Sequence, residues 1–330
     1  MTDPYVPRRY PAKRMWVWNG LVLASLLVLI QSLAGCGESG GSESERKSER
    51  ASPTVVSLSP AATQMLIDMG KRDHLIAVSR DDADGLGLPT CGTYNLPDYD
   101  RILALSPDIV ITQPHKDGPA PKLQRLADDG VFRLCVLPHA RSVDDVSEAL
   151  THDEWGLGVV MGDAAAATAA ERKMRQQLDA VAAVVSDRGR PRVLLLLNPG
   201  TLGVIGPNTT HDELLHLAGG VNAATPFESS YLQLSREQVQ TIAKPDLVLL
   251  IQPNGQPLAQ NDDWLEMFDG LTVPAVTNRR FVVITHPQAS LPATSIPAVV
   301  TEMAAAIHPE DEASIRRAYE LAGRTDGQTP

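Results

Sequence analysis

From Val55 onward the chain alternates short, uninterrupted apolar runs with longer stretches of helical spacing. The runs are VVSLS at 55–59, LIAVS at 75–79, IVITQ at 109–113, FRLCVLP at 132–138, VLLLLN at 193–198, LVLLIQ at 247–252 and FVVIT at 281–285. Short apolar runs without polar alternation predict strands buried on both faces, the habit of parallel sheets flanked by helices. The expected class is α/β. Between the fourth and fifth runs, Met174, Leu178, Val181 and Val185 recur at helical spacing, with no helix breaker from Ala164 to Arg188. About 24 residues at 1.5 Å each predict a helix of roughly 36 Å, a rigid spacer between two α/β units.

The two units carry a diverged internal repeat. The first reads Asp98-Tyr-Asp100-Arg-Ile102-Leu-Ala-Leu105-Ser-Pro107-Asp108-Ile-Val110, and the second Ser235-Arg-Glu237-Gln-Val239-Gln-Thr-Ile242-Ala-Lys-Pro245-Asp246-Leu-Val248. Asp98 and Ser235 are good N-caps, and Gln238 completes a capping box with Ser235, so each segment opens a helix with an acid two positions past the cap. Taken alone, Asp100 and Glu237 read as compensation of the helix dipole.

The N-terminus has a different pattern. Arg8, Arg9, Lys13 and Arg14 precede an uncharged stretch from Met15 to Gly35 with an apolar centre at Leu21–Ile30. This is a basic n-region followed by an h-region, and Leu33-Ala34-Gly35-Cys36 resembles the lipobox of bacterial lipoproteins. The other reading is an uncleaved membrane anchor, since about 20 uncharged residues just span a bilayer. Both export the rest of the chain. Arg8-Arg9 is only a weak match to a twin-arginine signal. Residues 36–54 are Gly, Ser and charge after the cysteine, a flexible tether.

Composition narrows the function. The 330 residues carry Lys+Arg 29 against Asp+Glu 40, a formal charge of −11, and removal of residues 1–35 leaves 25 basic against 39 acidic, or −14. Such a chain lacks the basic footprint that nucleic-acid binding requires.

Three segments in this order resemble the periplasmic-binding proteins of ABC importers for iron complexes and vitamin B12. VVSLSPAATQMLIDMG resembles the family's first strand, Ser-Pro helix start and first helix. CGTYNLPDYDRILALSPDIVI is similar to its Ala-Leu-x-Pro-Asp motif, and LLHLAGGVNAATPFESSYLQLSREQVQTIAKPDLVLL to its second-lobe motif. The B12-binding branch is the nearest pattern, and the likeness spans about Val55 to Pro309. It implies two α/β lobes with parallel sheets joined by a single long backbone helix, the class III type. The expected organisation is a lipoprotein signal at 1–35, lipidated Cys36 with its linker at 36–54, and a binding domain at 55–312. That domain divides into lobes at 55–160 and 190–312 with the linking helix at 163–188, followed by a C-terminal helix and tail at 313–330.

The resemblance also assigns residues. Ser59-Pro60 opens the first cleft helix, with Pro at the first helical position where its missing N–H costs nothing. Tyr94 and Tyr231, one per lobe, stand where B12-binding members carry an aromatic, and such rings sandwich a flat ligand. Asp100 and Glu237 stand where the family's acids meet arginines of the membrane permease, although family members more often have Glu at the first position. Strand-end loops add Arg80, His115, Asn198, Thr201 and His286 as ligand candidates. The Asp81-Asp82-Ala-Asp84 run after Arg80 departs from the relatives' pattern. So does Leu291-Pro-Ala-Thr-Ser-Ile-Pro297, which lacks their arginine and argues against a strongly anionic siderophore.

The expected protein is therefore a monomeric, lipid-anchored solute receptor. It holds a cobalamin-like ligand in a largely pre-formed cleft for a permease and its ATPase, without cofactor, resident metal or catalytic residue. The alternative within the class is haem or a ferric siderophore, with Tyr94, Tyr231, His115 or His286 as iron ligands. The alternative outside it is an exported metal-dependent hydrolase. His211-Asp-Glu-Leu-Leu-His216 speaks against that one, because residues i and i+5 lie about 140° apart on a helix rather than on one face. Thr210 with Glu213 reads instead as a capping box, and Gly219-Gly220 as the helix end. Cys91 and Cys135 either form a disulfide in the oxidising compartment or remain as buried thiols.

Overall fold

A computed structural model describes residues 53–82, 86–114, 118–198, 200–252 and 263–324. The leader at 1–35, Cys36, nearly all of the tether, Asp84 and His115 lie outside the described residues. All seven apolar runs form strands. In the first lobe these are β1 (Val55–Ser57), β2 (Leu75–Ala77), β3 (Ile109–Thr112) and β4 (Arg133–Val136), paired in the parallel order β2-β1-β3-β4. Helices α1 (Pro60–Asp68), α2 (Tyr99–Leu105), α3 (Pro121–Asp128), α4 (Val143–Thr151) and α5 (Leu157–Val160) belong to this half.

The spacer is α6 (Ala164–Val185), capped by Asp163, whose carboxylate accepts the Ala166 N–H. After it come β5 (Arg192–Asn198), β6 (Gly203–Ile205), α7 (Thr210–Leu217), β7 (Val221–Asn222), β8 (Tyr231–Gln233), α8 (Arg236–Gln238) and β9 (Leu247–Ile251). The chain closes with α9 (Pro274–Thr277), β10 (Phe281–Ile284), α10 (Ile296–Ile307) and α11 (Glu312–Ala322). The second sheet runs β10-β9-β5-β6-β8, with β7 also on β5. Its centre is parallel, and β6 adds an antiparallel edge against β5 and β8.

The uninterrupted runs follow from burial on two faces. Val55, Ile109 and Ile111 of the first sheet and Val193, Leu195, Leu247 and Leu249 of the second enter one core with Met174, Leu178, Val181 and Val185 of α6. The alternate residues, Val56 and Val110 on one sheet and Leu194, Leu196, Val248 and Leu250 on the other, line separate cores under the outer helices. The spacer is thus the shared wall of both lobes. Helix α11 packs on α6 and α10.

The repeat has a mechanical basis. Asp108 Oδ2 accepts the N–H of Thr54 at 2.8 Å and its hydroxyl at 2.9 Å, and Asp246 Oδ2 accepts the N–H of Arg192 at 2.8 Å. Each acid lies 54 residues beyond its donor and clamps the foot of its lobe's first strand to the next parallel strand. Helix α2 ends on left-handed Ser106 (φ 46°), and the second repeat on left-handed Lys244 (φ 43°). The second helix departs from its counterpart. After α8 it widens to a π turn over Val239–Ala243, closed by the bond from the Lys244 N–H to the Val239 carbonyl, and the Arg192 guanidinium donates to the Ala243 carbonyl at 2.8 Å.

Two details differ from the sequence expectation, and the cysteines settle one alternative it left open. The cap of α7 is Thr209, which accepts the Asp212 N–H, and Thr210 is the first helical residue. Thr210 Oγ1 instead reaches the Ala140 carbonyl across the lobes at 3.2 Å. Glu213 likewise turns outward, taking the Val143 N–H at 2.7 Å. Strands β6, β7 and β8 were not expected, being too short to leave a run. Cys91 and Cys135 are both buried free thiols, and burial pushes them up to about 11 and about 12.

Candidate functional site

In each lobe the carboxyl ends of the parallel strands release the loops able to meet a ligand. Across the first sheet those loops are tied by a polar seam. After β1, Ser59 caps α1 by accepting the Ala62 N–H at 3.2 Å, and its hydroxyl donates to Gln113 Oε1 at 3.0 Å. Gln113 follows β3, and its Nε2 donates to the Pro138 carbonyl beyond β4 at 2.9 Å. On the other side, Thr63 Oγ1 lies 2.9 Å from Ser57 Oγ and 3.3 Å from Asp82 Oδ2, while Asp82 also takes the Ser79 N–H at 2.8 Å beyond β2. Burial pushes the Asp82 carboxyl up to about 6 against the pull of the Thr63 and Ser79 bonds. Ser59 is itself buried, so it shapes this rim from beneath.

Arg80 is exposed just past β2, its N–H held by the Gly92 carbonyl at 2.8 Å. Gly92 pairs with Pro97 and turns the chain so that Tyr94 stands half-buried at the tip. A side chain at Gly92, where φ is 79°, would begin 2.2 Å from the Leu96 carbonyl, so glycine is obligatory there. Asp98 then caps α2 through the Arg101 N–H and leaves Asp100 exposed in the first turn.

In the second lobe Asn198 ends β5 opposite Gly203, and Thr201 is exposed in the intervening turn. Tyr231 opens the edge strand β8 opposite Ile205. Beside it, a side chain at Gly206 would begin 1.8 Å from the Ser229 carbonyl, so the backbones leaving β6 and entering β8 approach closely just before Tyr231. Tyr231 is 56% exposed. Partial burial still pushes the phenol above its ordinary range, and the positive charge of Arg141 from the first lobe acts against that shift. Ser235 and Gln238 form the predicted capping box, and Glu237 is exposed. Among the described residues neither Asp100 nor Glu237 enters an ion pair.

His286 lies past β10, its N–H donated to Glu302 Oε2 at 3.0 Å and its Nδ1 accepting the Gln288 N–H at 3.2 Å. Burial lowers its basicity, so near neutral pH it is an uncharged ring. It lines a cavity of about 460 Å³ with Glu302, Arg316 and Tyr319, formed with α10 and α11. Gln288 next to it donates to Gln64 Oε1 of the first lobe at 2.5 Å, and Thr294 reaches Asp68 nearby. His211 and His216 point apart. His211 is buried with Nε2 2.7 Å from the Ala289 carbonyl, whereas His216 is exposed and donates to the Asp212 carbonyl. Among the described residues no group of three His, Cys, Asp or Glu side chains is placed to hold a metal ion, and no helix is long and apolar enough to cross a membrane.

Spacing alone did not reveal Asp82, Gln113 or Arg141. Arg141 follows the fourth apolar run in a strand-end loop, and that position was its one available signal.

Residues 55–287 match the family described as periplasmic binding protein. A protein of Halobacterium salinarum named cobalamin-binding protein is 32% identical over 207 residues, covering 59% of this chain and 53% of that protein. One of Vibrio parahaemolyticus named vitamin B12-binding protein is 30% identical over 190 residues, covering 57% of this chain and 66% of its own length. The match thus spans between about half and two thirds of these relatives. Among solved structures, a periplasmic heme binding protein from Pseudomonas aeruginosa superposes with TM-score 0.63 at 25% identity, covering 78% of this chain and 93% of that one. The periplasmic vitamin B12 binding protein BtuF of Vibrio cholerae does so with TM-score 0.58 at 18% identity, covering 83% and 98%, a likeness of fold.

Proposed function

The chain belongs to the periplasmic binding protein family, whose members are solute-binding proteins and not enzymes, and from that premise we propose that it captures a cobalamin-like ligand between its lobes for an ABC importer. The observation that carries this reading is Tyr231, a large ring left exposed on a sheet edge beside the strand-end loops. An aromatic in that setting offers flat apolar area with a polar tip and loses little entropy on binding. Tyr94 on its glycine-turned loop supplies the matching ring from the first lobe, and Arg80, Asn198 and Thr201 border the same strand ends. Relatives named for cobalamin and vitamin B12 support the choice of ligand.

Delivery rests on Asp100 and Glu237. Exposed and unpaired, one per lobe on the same turn of the repeat, they suit two-point docking to basic residues of a permease, where such pairs act on orientation and encounter rate. The chain is read as exported and held at the envelope through lipidated Cys36, with the boundaries at 1–35, 36–54 and 55–312 as the proposed organisation.

A second reading, haem as ligand, is favoured by the superposition on the heme binding protein of Pseudomonas aeruginosa. Tyr231, Tyr94 or His286 would then be the iron ligand. Parallel calorimetric titration with cyanocobalamin, haem and a panel of ferric siderophores decides between them. Saturable one-to-one binding of the corrinoid at about micromolar Kd or tighter is expected, weakened several-fold to about a hundredfold by Tyr94→Ala with Tyr231→Ala. Haem binding with a Soret band lost on replacing its ligand residue would select the second reading. Asp100→Ala with Glu237→Ala should leave affinity intact and abolish uptake by cells.

A further inference from the structure

Arg141 has no assigned task, and its surroundings are unusual for so acidic a chain. It sits between the end of β4 and α4, and two hydrogen bonds fix where that segment lies against the second lobe. Thr210 Oγ1 donates to the carbonyl of Ala140 next door at 3.2 Å, and Glu213 Oε2 takes the N–H of Val143 at 2.7 Å. Thr209 Oγ1 in turn donates to the Gly206 carbonyl at 3.2 Å, and the Gly206 N–H donates to the Ser230 carbonyl at 2.8 Å. Tyr231 follows directly, opposite Ile205. The chain of contacts therefore brings the Arg141 segment of one lobe toward Tyr231 of the other, within range for its charge to act on the phenol.

The carboxylates of the two segments that meet here are held by other donors. Asp145 takes the backbone N–H groups of Arg141 and Ser142 at 2.7 and 3.0 Å, and Asp144 pairs with Arg175 at 2.7 Å. Glu213 holds Val143, and Asp212 holds Asn222 Nδ2 at 3.0 Å and the Asn208 N–H at 3.3 Å. Among the described residues no carboxylate pairs with the guanidinium of Arg141, which is exposed although acids outnumber bases 40 to 29. A planar cation with five N–H donors, facing a phenol across the lobes, is a fitting seat for a phosphate or carboxylate oxygen between them.

We propose that the cleft recognises its ligand by an anionic substituent, a phosphodiester or carboxylate held between the Arg141 guanidinium and the Tyr231 hydroxyl. This rests on the reading that the cleft binds a flat macrocycle, and it adds what the two rings lack, a means of telling one edge of the macrocycle from another.

The test compares wild-type protein with Arg141→Ala and Arg141→Lys against ligand pairs that differ in the anion. The pairs are cyanocobalamin with dicyanocobinamide, which lacks the phosphodiester, and haem with its dimethyl ester. Arg141→Ala should weaken the anionic member of the bound pair about ten- to a hundredfold while leaving the other within about twofold, and Lys should restore part of the loss. Which pair responds identifies the source of the anion. Separately, ultraviolet titration of the ligand-free protein, with Tyr231→Phe as the blank, should show the Tyr231 phenol ionising at higher pH in Arg141→Ala than in wild type. Unchanged affinity for both members, or an equal loss for both, overturns the anion seat while the stacking reading stands. An unmoved Tyr231 titration overturns the placement of Arg141 itself. Failure of wild type to bind any of the four ligands overturns the macrocycle reading, and the proposal with it.

Discussion

In the first lobe Asp108 receives both the N–H and the hydroxyl of Thr54, whereas in the second Asp246 receives the N–H of Arg192, whose side chain continues to the carbonyls of Ile242 and Ala243. The clamp is the same and its donor is not. With a threonine the helix before the clamp stays α-helical, and with an arginine its last turn opens to π geometry. The sheets diverge in the same way. The first is four parallel strands whose ends are stitched by the seam from Asp82 to Pro138, and the second adds the antiparallel edge that carries Tyr231. A repeated frame thus holds the lobes in matching register while its donors and edges are free to vary, and the variation falls where a ligand would touch.

The largest expected effect comes from the wall the lobes share. Met174 of α6 is buried in a core that includes residues of both sheets. Met174→Ala should cost about 2–5 kcal/mol and lower the stability of both lobes together. Urea unfolding followed by Trp155 in one half and Trp264 in the other, each as the sole tryptophan, should give coincident midpoints. Separated midpoints would show that the two lobes unfold independently.

The clamps come next. Asp246→Ala should cost about 1–3 kcal/mol by leaving the partly buried Arg192 N–H unpaired, and Asp108→Ala less, because water reaches the exposed bond between Asp108 and Thr54. Equal losses would remove the distinction between the lobes. The Thr54 bonds hold the Asp108 carboxyl below its ordinary range. Its stabilising share is therefore present at neutral pH and lost as pH falls through the folded-state value.

The smallest effect concerns the seam and has the opposite sign. The Asp82 carboxyl is raised from 3.8 to about 6. Its contribution is fully present below pH about 4 and disappears as pH rises through about 6. At pH 7 the charged form is a liability, and Asp82→Asn should stabilise the protein by about 1–2 kcal/mol, allowing for its partial exposure. The difference should vanish near pH 4, as measured by urea titration across that range. A destabilised variant at pH 7 would mean that the carboxylate's two hydrogen bonds outweigh its burial.

Much of this was legible along the chain because its causes are local. Seven strands announced themselves as apolar runs, α6 by Met174, Leu178, Val181 and Val185, and the repeat helices by Asp98, Ser235 and Gln238. Strand β8 was not, since Tyr231 and Gln233 are both exposed and three residues with one half-buried leucine leave no run. The α7 cap was missed by one position because two adjacent threonines compete for it, and tertiary contact with Ala140 decides in favour of Thr209 as cap. At the candidate site the tyrosines and acids were visible through motif position. The seam was not, because Ser59 meets Gln113 across 54 residues and Gln113 meets Pro138 across 25, distances at which spacing carries no signal.

The chain crosses from one lobe to the other only once as α6, and the first sheet takes no strand from beyond Val136 while the second takes none from before Arg192. A chain emerging N-terminus first therefore presents every strand of the first sheet before any of the second. Assembly is vectorial, since β1 to β4 can pair as they emerge, and the apolar face of α6 must wait, half-covered, until Val193 to Leu249 arrive to close it. The interval between the end of α6 at Val185 and the arrival of Leu249 is the window in which the emerging chain is most exposed to proteases and to its own neighbours, and it spans about 64 residues.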